Sequence, residues 1–163
     1  MSRKSILIGS ALAMLAASTS LADATVTTET AVRGAKRLVI VTSDIATEFT
    51  NTKFVDIAFS GQFAVPSTQQ GFLVATFTGE SQCSAVSFCS VRITCDGIEA
   101  EPAALFDFAF NSPGGAAFTS HSVTRRSGVF TGGTHSCVAQ SASVGGGTHR
   151  LDDWTFTVEF WAK

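Results

Sequence analysis

Apolar and polar side chains alternate with a period of two along most of the chain after residue 24. Successive side chains of a β-strand point to opposite faces, so this alternation is typical of strands with one buried and one solvated face. The segment from Trp154 to Phe160 is the clearest case, because apolar residues occupy every second position and Thr155, Thr157 and Glu159 lie between them. No helical period competes with this pattern after residue 24, so the sequence predicts an all-β protein.

The same pattern predicts eight or nine strands separated by turn clusters such as Asp96-Gly97 and Gly145-Gly146-Gly147. One strand is expected between residues 53 and 65, with Pro66 ending it. The other predicted strands are Leu38 to Thr42, Phe72 to Thr78, Val91 to Cys95, Phe106 to Phe110, Phe118 to Thr124 and Ser136 to Val144. Many short strands with such turns indicate a sandwich or a barrel, and we expect an antiparallel β-sandwich.

Within the predicted strand at residues 53 to 65, one face carries the apolar side chains and the other the polar ones. The expected apolar face consists of Val55, Ile57, Phe59, Phe63 and Val65. The expected solvated face consists of Lys53, Asp56, Ser60 and Gln62. This assignment treats the segment as one continuous extended chain.

The first 24 residues have the composition of a cleavable signal peptide. Arg3 and Lys4 precede an apolar run from Ile6 to Ala17, and the small residues Ala22 and Ala24 suit a cleavage site. A membrane-spanning helix needs about 20 apolar residues, so we expect cleavage after Ala24 and no stable membrane insertion. The expected mature part, residues 25–163, has the size of a single domain, here one β-sandwich, and would be secreted or periplasmic.

The charge of the chain disfavours nucleic acid as a partner. The formal net charge is −2, and loss of residues 1–24 with their two basic and one acidic residues makes it −3. Binding to a phosphate backbone depends on neutralising lysines and arginines, which an acidic chain lacks in excess. We therefore expect no nucleic-acid partner.

All four cysteines, Cys83, Cys89, Cys95 and Cys137, lie in the expected mature part. An even number of cysteines in an exported chain predicts two disulfides, although four cysteines permit three pairings. The short turn-like segment between Cys83 and Cys89 favours a bond between those two, which leaves Cys95 to pair with Cys137 in the core. Zinc sites use closer ligand pairs than the five-residue gaps found here, so no metal is expected at these thiols.

No sequence motif for catalysis, a metal or a cofactor is present. His135 and His149 each follow the string Gly-Gly-Thr, and both strings are interpreted as turns leading into the next segment. Because His135 would start the strand that ends near Val144 and His149 would lie in the turn after it, about 30 Å should separate the two side chains at about 3.3 Å per residue. With His121 they make three histidines, and we expect no shared metal site among them.

Carboxylates occur in two loose groups and at Glu80. Calcium accepts such oxygen ligands from loops, but turn formation and strand lead-ins explain them more simply. The first group is Asp96, Glu99 and Glu101, and the second is Asp152 and Asp153.

Two tryptophans near the end of the chain are expected on opposite faces of one strand, because their positions differ by seven, an odd number. Trp154 shares the apolar face and is predicted to be buried. Trp161 would face the wetter side, where it could stack on a sugar ring, anchor a partner, or cover a sheet edge. It is the one residue that the sequence offers as a surface binding residue.

An ordered set of short motifs resembles a group of uncharacterised exported bacterial β-sandwich proteins. The motifs are Phe77-Thr78-Gly79-Glu80, Val91-Arg92-Ile93 with Asp96-Gly97, Pro102, Gly133-Thr134-His135 and Leu151-Asp152-Asp153-Trp154. The resemblance covers residues 53–163 and extends, more distantly, to trimeric jelly rolls of the tumour-necrosis-factor-like kind. The resemblance implies a jelly-roll-like sandwich and assembly into a homotrimer, and it implies no activity. Asn111 stands where the group carries a cysteine, so no disulfide pairing is transferred from it.

These observations favour a non-enzymatic exported module that binds a protein or a glycan, or that self-assembles. One alternative is a hydrolase or lyase of envelope polymers, with carboxylates such as Glu80, Glu99 or Asp153 as acid and base. This alternative requires two carboxylates to share a concave pocket. The other alternative is a structural envelope component that acts by oligomerising.

Overall fold

Eleven β-strands make up most of the computed structural model, which describes residues 25–29, 35–84, 88–104, 108–111 and 117–163. The strands are β1 (Thr25–Glu29), β2 (Ala35–Ser43), β3 (Thr47–Phe49), β4 (Val55–Phe59), β5 (Phe63–Cys83), β6 (Phe88–Cys95), β7 (Ile98–Glu99), β8 (Thr119–Arg126), β9 (Phe130–His135), β10 (Cys137–Val144) and β11 (His149–Ala162). The predicted signal peptide lies outside the described residues. Within the part of the chain that is described, no helix has the length and hydrophobicity needed to cross a membrane.

The strands form two antiparallel sheets. The large sheet has the order β1-β2-β11-β5-β8, with β3 also paired to β11 and β9 to β5. The small sheet has the order β4-β10-β6-β7. The predicted all-β antiparallel sandwich is therefore confirmed, and β11 and β5 lie in the interior of the large sheet.

The core lies between the two sheets and follows the alternation seen in the sequence. Trp154, Phe156, Val158 and Phe160 of β11 all point inward and are at most 6% exposed. The ring of Phe77 in β5 lies 5.6 Å from that of Trp154. The small sheet contributes mainly Val91, Ile93 and Ala139 to the same core. Trp154 is thus buried as the sequence predicts.

A β-bulge in β11 keeps both Leu151 and Trp154 in the core. Three positions separate the two residues, so a regular strand would place them on opposite faces. The pairing of β11 with β5 shifts by one residue between Asp152 and Thr155, and Asp153 adopts a positive φ of 42°. The extra residue restores the inward direction of Trp154. Gly79 lies under it, because a Cβ at this position would come within 2.8 Å of the Trp154 Cβ.

The prediction of one continuous strand at residues 53–65 is wrong. Gly61 has a φ of 71° and breaks the segment, so that β4 joins the small sheet and β5 joins the large one. The faces are reversed near the break, since Phe59 is 51% exposed whereas Ser60 is 2% exposed. Ser60 is buried because its Oγ accepts a hydrogen bond from the Cys137 N–H at 3.0 Å.

Two further strand predictions are corrected by the structure. Pro66 does not end a strand, because β5 continues through it and the irregularity falls instead on the pairing with β9, between Val65 and Gln70. The segment Phe108–Phe110 is a short 3-10 helix and not a strand. It follows β7 of the small sheet and precedes β8 of the large one, and Phe110 is fully buried against Phe77. Phe106 lies outside the described residues.

Strands β1, β3, β7 and β9 were not among those predicted. β3 and β7 have only three and two residues, which is too short for a detectable alternation. β9 contains Gly132-Gly133-Thr134, a string that indicates a turn when it is read locally. Its pairing with β5 makes it a strand.

Candidate functional site

The four cysteines form two disulfides, with the pairing that their spacing favours. Cys83 is bonded to Cys89, and this bond joins the end of β5 in the large sheet to β6 in the small sheet. Cys95 is bonded to Cys137, its direct partner in the pairing of β6 with β10. Each of the four side chains is at most 4% exposed. The cysteines therefore hold the framework together and offer no thiol to a ligand or a substrate.

His149 lies at the start of β11 and not in a turn as predicted. Its side chain is fully buried, with Nδ1 2.7 Å from the Oγ of Ser141 in the small sheet. Burial, with a smaller contribution from nearby His121, lowers the pKa of His149 from 6.5 to about 4. Rings of Phe110 and Phe49 lie 6.2 and 6.5 Å from it. This serine–histidine pair is sealed from solvent and therefore inaccessible to a substrate.

His135 ends β9 and does not start β10, again in contrast to the prediction. Its Nδ1 lies 2.7 Å from an Asp96 carboxylate oxygen, and the other oxygen of Asp96 accepts the Ser136 N–H at 2.9 Å. The Phe130 ring stacks on the imidazole with 3.7 Å between centroids. The described residues contain no group of three or more histidines, cysteines and carboxylates that could hold a metal ion.

The carboxylates singled out in the sequence are dispersed among structural contacts. Glu99 lies 3.9 Å from Arg92 and accepts the Ala104 N–H at 3.0 Å, and Glu101 lies 3.1 Å from Arg126. Glu80 is paired directly with Asp152 across β5 and β11, where both point away from the core. None of them lines the cavity that strands β2, β5 and β11 of the large sheet form beside Arg37 and Phe63.

Trp161 lies on the outer face of the large sheet, near the end of β11. Because β11 has a paired strand on each side, Trp161 does not cover a sheet edge. It is 37% exposed, and its indole N–H donates to the Glu159 carboxylate at 3.1 Å. This hydrogen bond fixes the indole over the sheet in one orientation.

A second aromatic side chain lies next to Trp161 on the same face. Phe72 of β5 is the direct partner of Trp161, and paired residues of an antiparallel sheet share a face. The guanidinium of Arg126 lies 5.5 Å from the centre of the Phe72 ring. Trp161, Phe72, Glu159 and Arg126 therefore make an aromatic patch with a carboxylate and a guanidinium beside it.

Two rows of hydroxyl groups continue this face across three neighbouring strands. In the first row Thr157 of β11 is paired with Thr76 of β5, which is paired with Thr124 of β8. The second row, two residues further along each strand, consists of Thr155, Thr78 and Ser122. The hydroxyls of β5 and β8 lie 3.0 Å apart in both rows. We call these six residues together with the aromatic patch the binding face.

The sequence offered only Trp161 of this face. The sequence contains part of the pattern that corresponds to the hydroxyl rows, because Thr-x-Thr occurs at residues 76–78 and 155–157 and Ser-x-Thr at 122–124. Threonine is common in strands for conformational reasons, so these strings carry little information singly. Only the register of the sheet aligns them into rows and places Phe72 beside Trp161.

The chain was compared with known families, curated proteins and solved structures. No family model matches it, and neither does any curated protein. It is similar to the sugar-binding C-terminal domain of EclA, with 15% identity and a TM-score of 0.39 over 70% of this chain and 78% of that one. It is also similar to latent PorU from Porphyromonas gingivalis, with 12% identity and a TM-score of 0.48 over 90% of this chain but only 14% of PorU.

A third similar structure is the CBM22-1 xylan-binding domain of Xyn10C from Paenibacillus barcinonensis. The identity is 14% and the TM-score 0.28, over 86% of this chain and 82% of that domain. Scores of this size do not transfer a site or a ligand to this chain.

Proposed function

We propose that the protein is an exported, non-enzymatic module that binds a glycan on the binding face of the large sheet. The observation that carries this proposal is the pairing of Trp161 with Phe72 on an open face, directly beside two hydroxyl rows. We further propose that residues 25–163 form one domain, which follows a cleaved signal peptide and acts in the periplasm or outside the cell.

The chemistry of the face matches the two sides of a sugar ring. Aromatic side chains provide a large flat contact for the apolar C–H face of a pyranose. The hydroxyls of a glycan require donors and acceptors, which Glu159, Arg126 and the threonines supply within one or two strands of Trp161. The hydrogen bond from Trp161 to Glu159 holds the indole before the ligand arrives, which lowers the entropy cost of binding.

The shape of the face favours a chain of sugar units over a single unit. From Trp161 to Thr155 the face extends about 20 Å, at roughly 3.3 Å per residue, and its strands are about 4.8 Å apart. Within the two hydroxyl rows, Thr78, Ser122 and Thr124 are exposed and the other three threonines are partly exposed. A polysaccharide can therefore lie across the face without a free chain end.

The opposite outer face of the small sheet does not offer the same chemistry. Its central polar groups bind one another, since Arg92 donates to Gln140 at 2.8 Å and Gln140 donates to Asp56 at 2.7 Å. Arg92 also covers the Phe54 ring at 4.0 Å. A ligand would have to replace these hydrogen bonds among a guanidinium, an amide and a carboxylate, whereas each β5 and β8 hydroxyl of the binding face has capacity for a further hydrogen bond beside its cross-strand one.

Affinity electrophoresis of the oxidised protein through gels containing soluble polysaccharides tests the proposal. We expect retardation by at least one polysaccharide, and a loss of affinity of about tenfold or more in Trp161→Ala, because an anchoring aromatic contributes about 1.4 kcal/mol or more. Phe72→Ala should weaken binding as well. Phe59→Ala, which removes a 51% exposed ring from the small sheet, is the matched control and should bind like the unmodified protein.

Two outcomes would contradict the proposal: no retardation by any polysaccharide in a broad panel, or equal retardation of Trp161→Ala and the unmodified protein. Light scattering on the same samples gives the mass of the species that binds. A trimeric mass would support the self-assembly that the jelly-roll resemblance implies, and a monomeric mass would count against it.

A further inference from the structure

Arg37 occupies an unusual position at one end of the sandwich. It is paired with Phe160 of β11 and shares the inner side of β2 with the buried Val39 and Val41. A cation on the inner side of a sheet requires compensation, because desolvation disfavours a charge without a partner. Arg37 is only half-buried, at the start of β2.

A cavity of about 250 Å³ lies against the Arg37 side chain. Its walls are mostly apolar and come from Phe63 and Val65 of β5 and from Phe160 of β11, all at most 8% exposed. The guanidinium lies 5.4 Å from the centre of the Phe63 ring. The cavity thus combines one positive group with aromatic walls.

Arg37 has no anionic partner among the described residues, in contrast to other arginines of the chain. Arg92, Arg126 and Arg150 lie 3.9, 3.1 and 3.6 Å from the carboxylates of Glu99, Glu101 and Glu48. The side chains of these three pairs are 26–64% exposed. Arg37, beside an apolar cavity, makes no such pair within the described part of the chain.

An irregularity in β5 forms one side of this cavity. Pro66 and Gln69, which line it, belong to a stretch that is inserted between the paired positions Val65 and Gln70. The opposite residue in β9 is Gly132, where a Cβ would lie 2.3 Å from the Pro66 carbonyl oxygen. The inserted stretch therefore packs directly on the backbone of Gly132. It also brings the Gln69 side chain to the cavity as a second polar group.

We propose that this cavity binds a small organic carboxylate with a ring-sized apolar body. A guanidinium presents parallel N–H donors that match the two oxygens of a carboxylate, and charge-assisted hydrogen bonds of this kind are about twice as strong as neutral ones. The phenyl walls receive the apolar body. The carboxylate can belong to a free acid or to a uronic acid unit of an acidic glycan, since the chemistry recognised is the same.

The cavity is independent of the binding face. Phe160 and Trp161 are neighbours in β11 and point to opposite sides of the sheet, so the cavity lies behind the face on which Trp161 is exposed. Failure of one proposal therefore leaves the other intact. A Trp161→Ala variant should retain the carboxylate site.

Isothermal titration calorimetry with three probes tests the site: sodium benzoate, uncharged benzamide of nearly the same shape, and sodium glucuronate. We expect a carboxylate to bind, benzamide to bind at least about tenfold more weakly than benzoate, and Arg37→Gln to weaken carboxylate binding by about tenfold or more. Arg37→Lys keeps the charge without the fork and should have intermediate affinity. Arg150→Gln removes a surface arginine elsewhere and is the control, expected to bind like the unmodified protein.

The pattern across the probes decides between the sources of the carboxylate. If benzoate binds and glucuronate does not, the ligand class is free aromatic acids. If glucuronate binds and benzoate does not, the ligand class is uronic acid sugars, and either result supports the site. The proposal is overturned if neither carboxylate binds, if benzamide equals benzoate, or if a folded Arg37→Gln binds as tightly as the unmodified protein. Thermal unfolding of each variant establishes that it is folded.

Discussion

The string Gly-Gly-Thr-His occurs twice in this chain, at residues 132–135 and 146–149, and the two copies have different environments. The first copy lies inside β9, and its His135, with a side chain that is 11% exposed, lies 2.7 Å from the partly exposed carboxylate of Asp96. The second copy is a turn that ends as β11 begins, and its His149 is fully buried beside Ser141.

The difference teaches that the neighbouring strands, and not the local residues, determine the character of each histidine. His135 can be hydrogen-bonded to a carboxylate because the turn after β6 brings Asp96 to it. His149 lies between the two sheets, among Phe110 and Ser141, where a positive charge is costly. Three experiments can break or sharpen this comparison, and they are given from the largest expected effect to the smallest.

Acid should destabilise the protein through His149. Its pKa is lowered from 6.5 to about 4, so the unfolded state binds a proton at a higher pH than the folded state does. The contribution of neutral His149 to the free energy of unfolding is therefore fully present above pH 6.5. It is lost as the pH falls from 6.5 towards 4, by about 3 kcal/mol in total. Denaturant unfolding at a series of pH values measures this loss.

The matched variants are His149→Gln and His135→Gln, which remove the same side chain from the two copies. The slope of the free energy of unfolding against pH, between pH 4 and 6.5, gives the number of protons taken up on unfolding. In His149→Gln this number should be lower by about one. In His135→Gln the loss caused by His149 should persist. An unchanged pH dependence in His149→Gln would mean that burial does not distinguish the two histidines.

The first glycine of each copy, Gly132 or Gly146, gives the second test. Gly132→Ala should lower the free energy of unfolding by about 2 kcal/mol, because its Cβ would overlap the backbone of Pro66 and Ser67. Gly146→Ala has open space around it but a φ of 83°, so about 1 kcal/mol is expected from backbone strain alone. Equal midpoint shifts in urea would show that the packing against β5 has no special cost.

The contact between His135 and Asp96 gives the smallest effect. Asp96 has a positive φ of 52°, which asparagine tolerates better than alanine does, so Asp96→Asn is the variant that isolates the contact. It retains an acceptor oxygen for the Ser136 N–H and removes the charge from the hydrogen bond to His135, and it should cost about 1 kcal/mol because the pair is partly exposed. A loss above about 3 kcal/mol in thermal or urea unfolding of Asp96→Asn would make this copy as critical as the buried one.

The fold class was accessible from the sequence because the strands that dominate the core have regular alternation. Trp154 to Phe160 is the best example, since every second residue is buried as predicted. Alternation was misleading where the chain changes sheets. Phe59 and Ser60 exchange faces next to Gly61, and Phe110 enters the core from a short helix. Segments as short as these contain too few periods of alternation to distinguish a continuous strand from a change of sheet or a short helix.

The candidate sites were less accessible, because each consists of residues from several strands. Trp161 was singled out as an exposed aromatic, but its partner Phe72 is 89 positions earlier in the chain. Arg37 drew no attention, since its neighbours in sequence look like an ordinary strand start. Its significance depends on Phe63 and Phe160, and on the absence of a carboxylate nearby within the described residues.

The sequence by itself determined the two-residue period of the strands, the buried side of β11 and the supply of two disulfide pairs. These properties depend on local stereochemistry and composition, which every strand carries within itself. The tertiary structure alone decided which strands are neighbours and in which register, and therefore which histidine is buried, which aromatics lie side by side and which arginine borders the cavity. The physical reason is that burial, charge pairing and surface shape are properties of contacts between distant segments. The string Gly-Gly-Thr-His shows this, because one copy places its histidine beside a carboxylate and the other places it in the core.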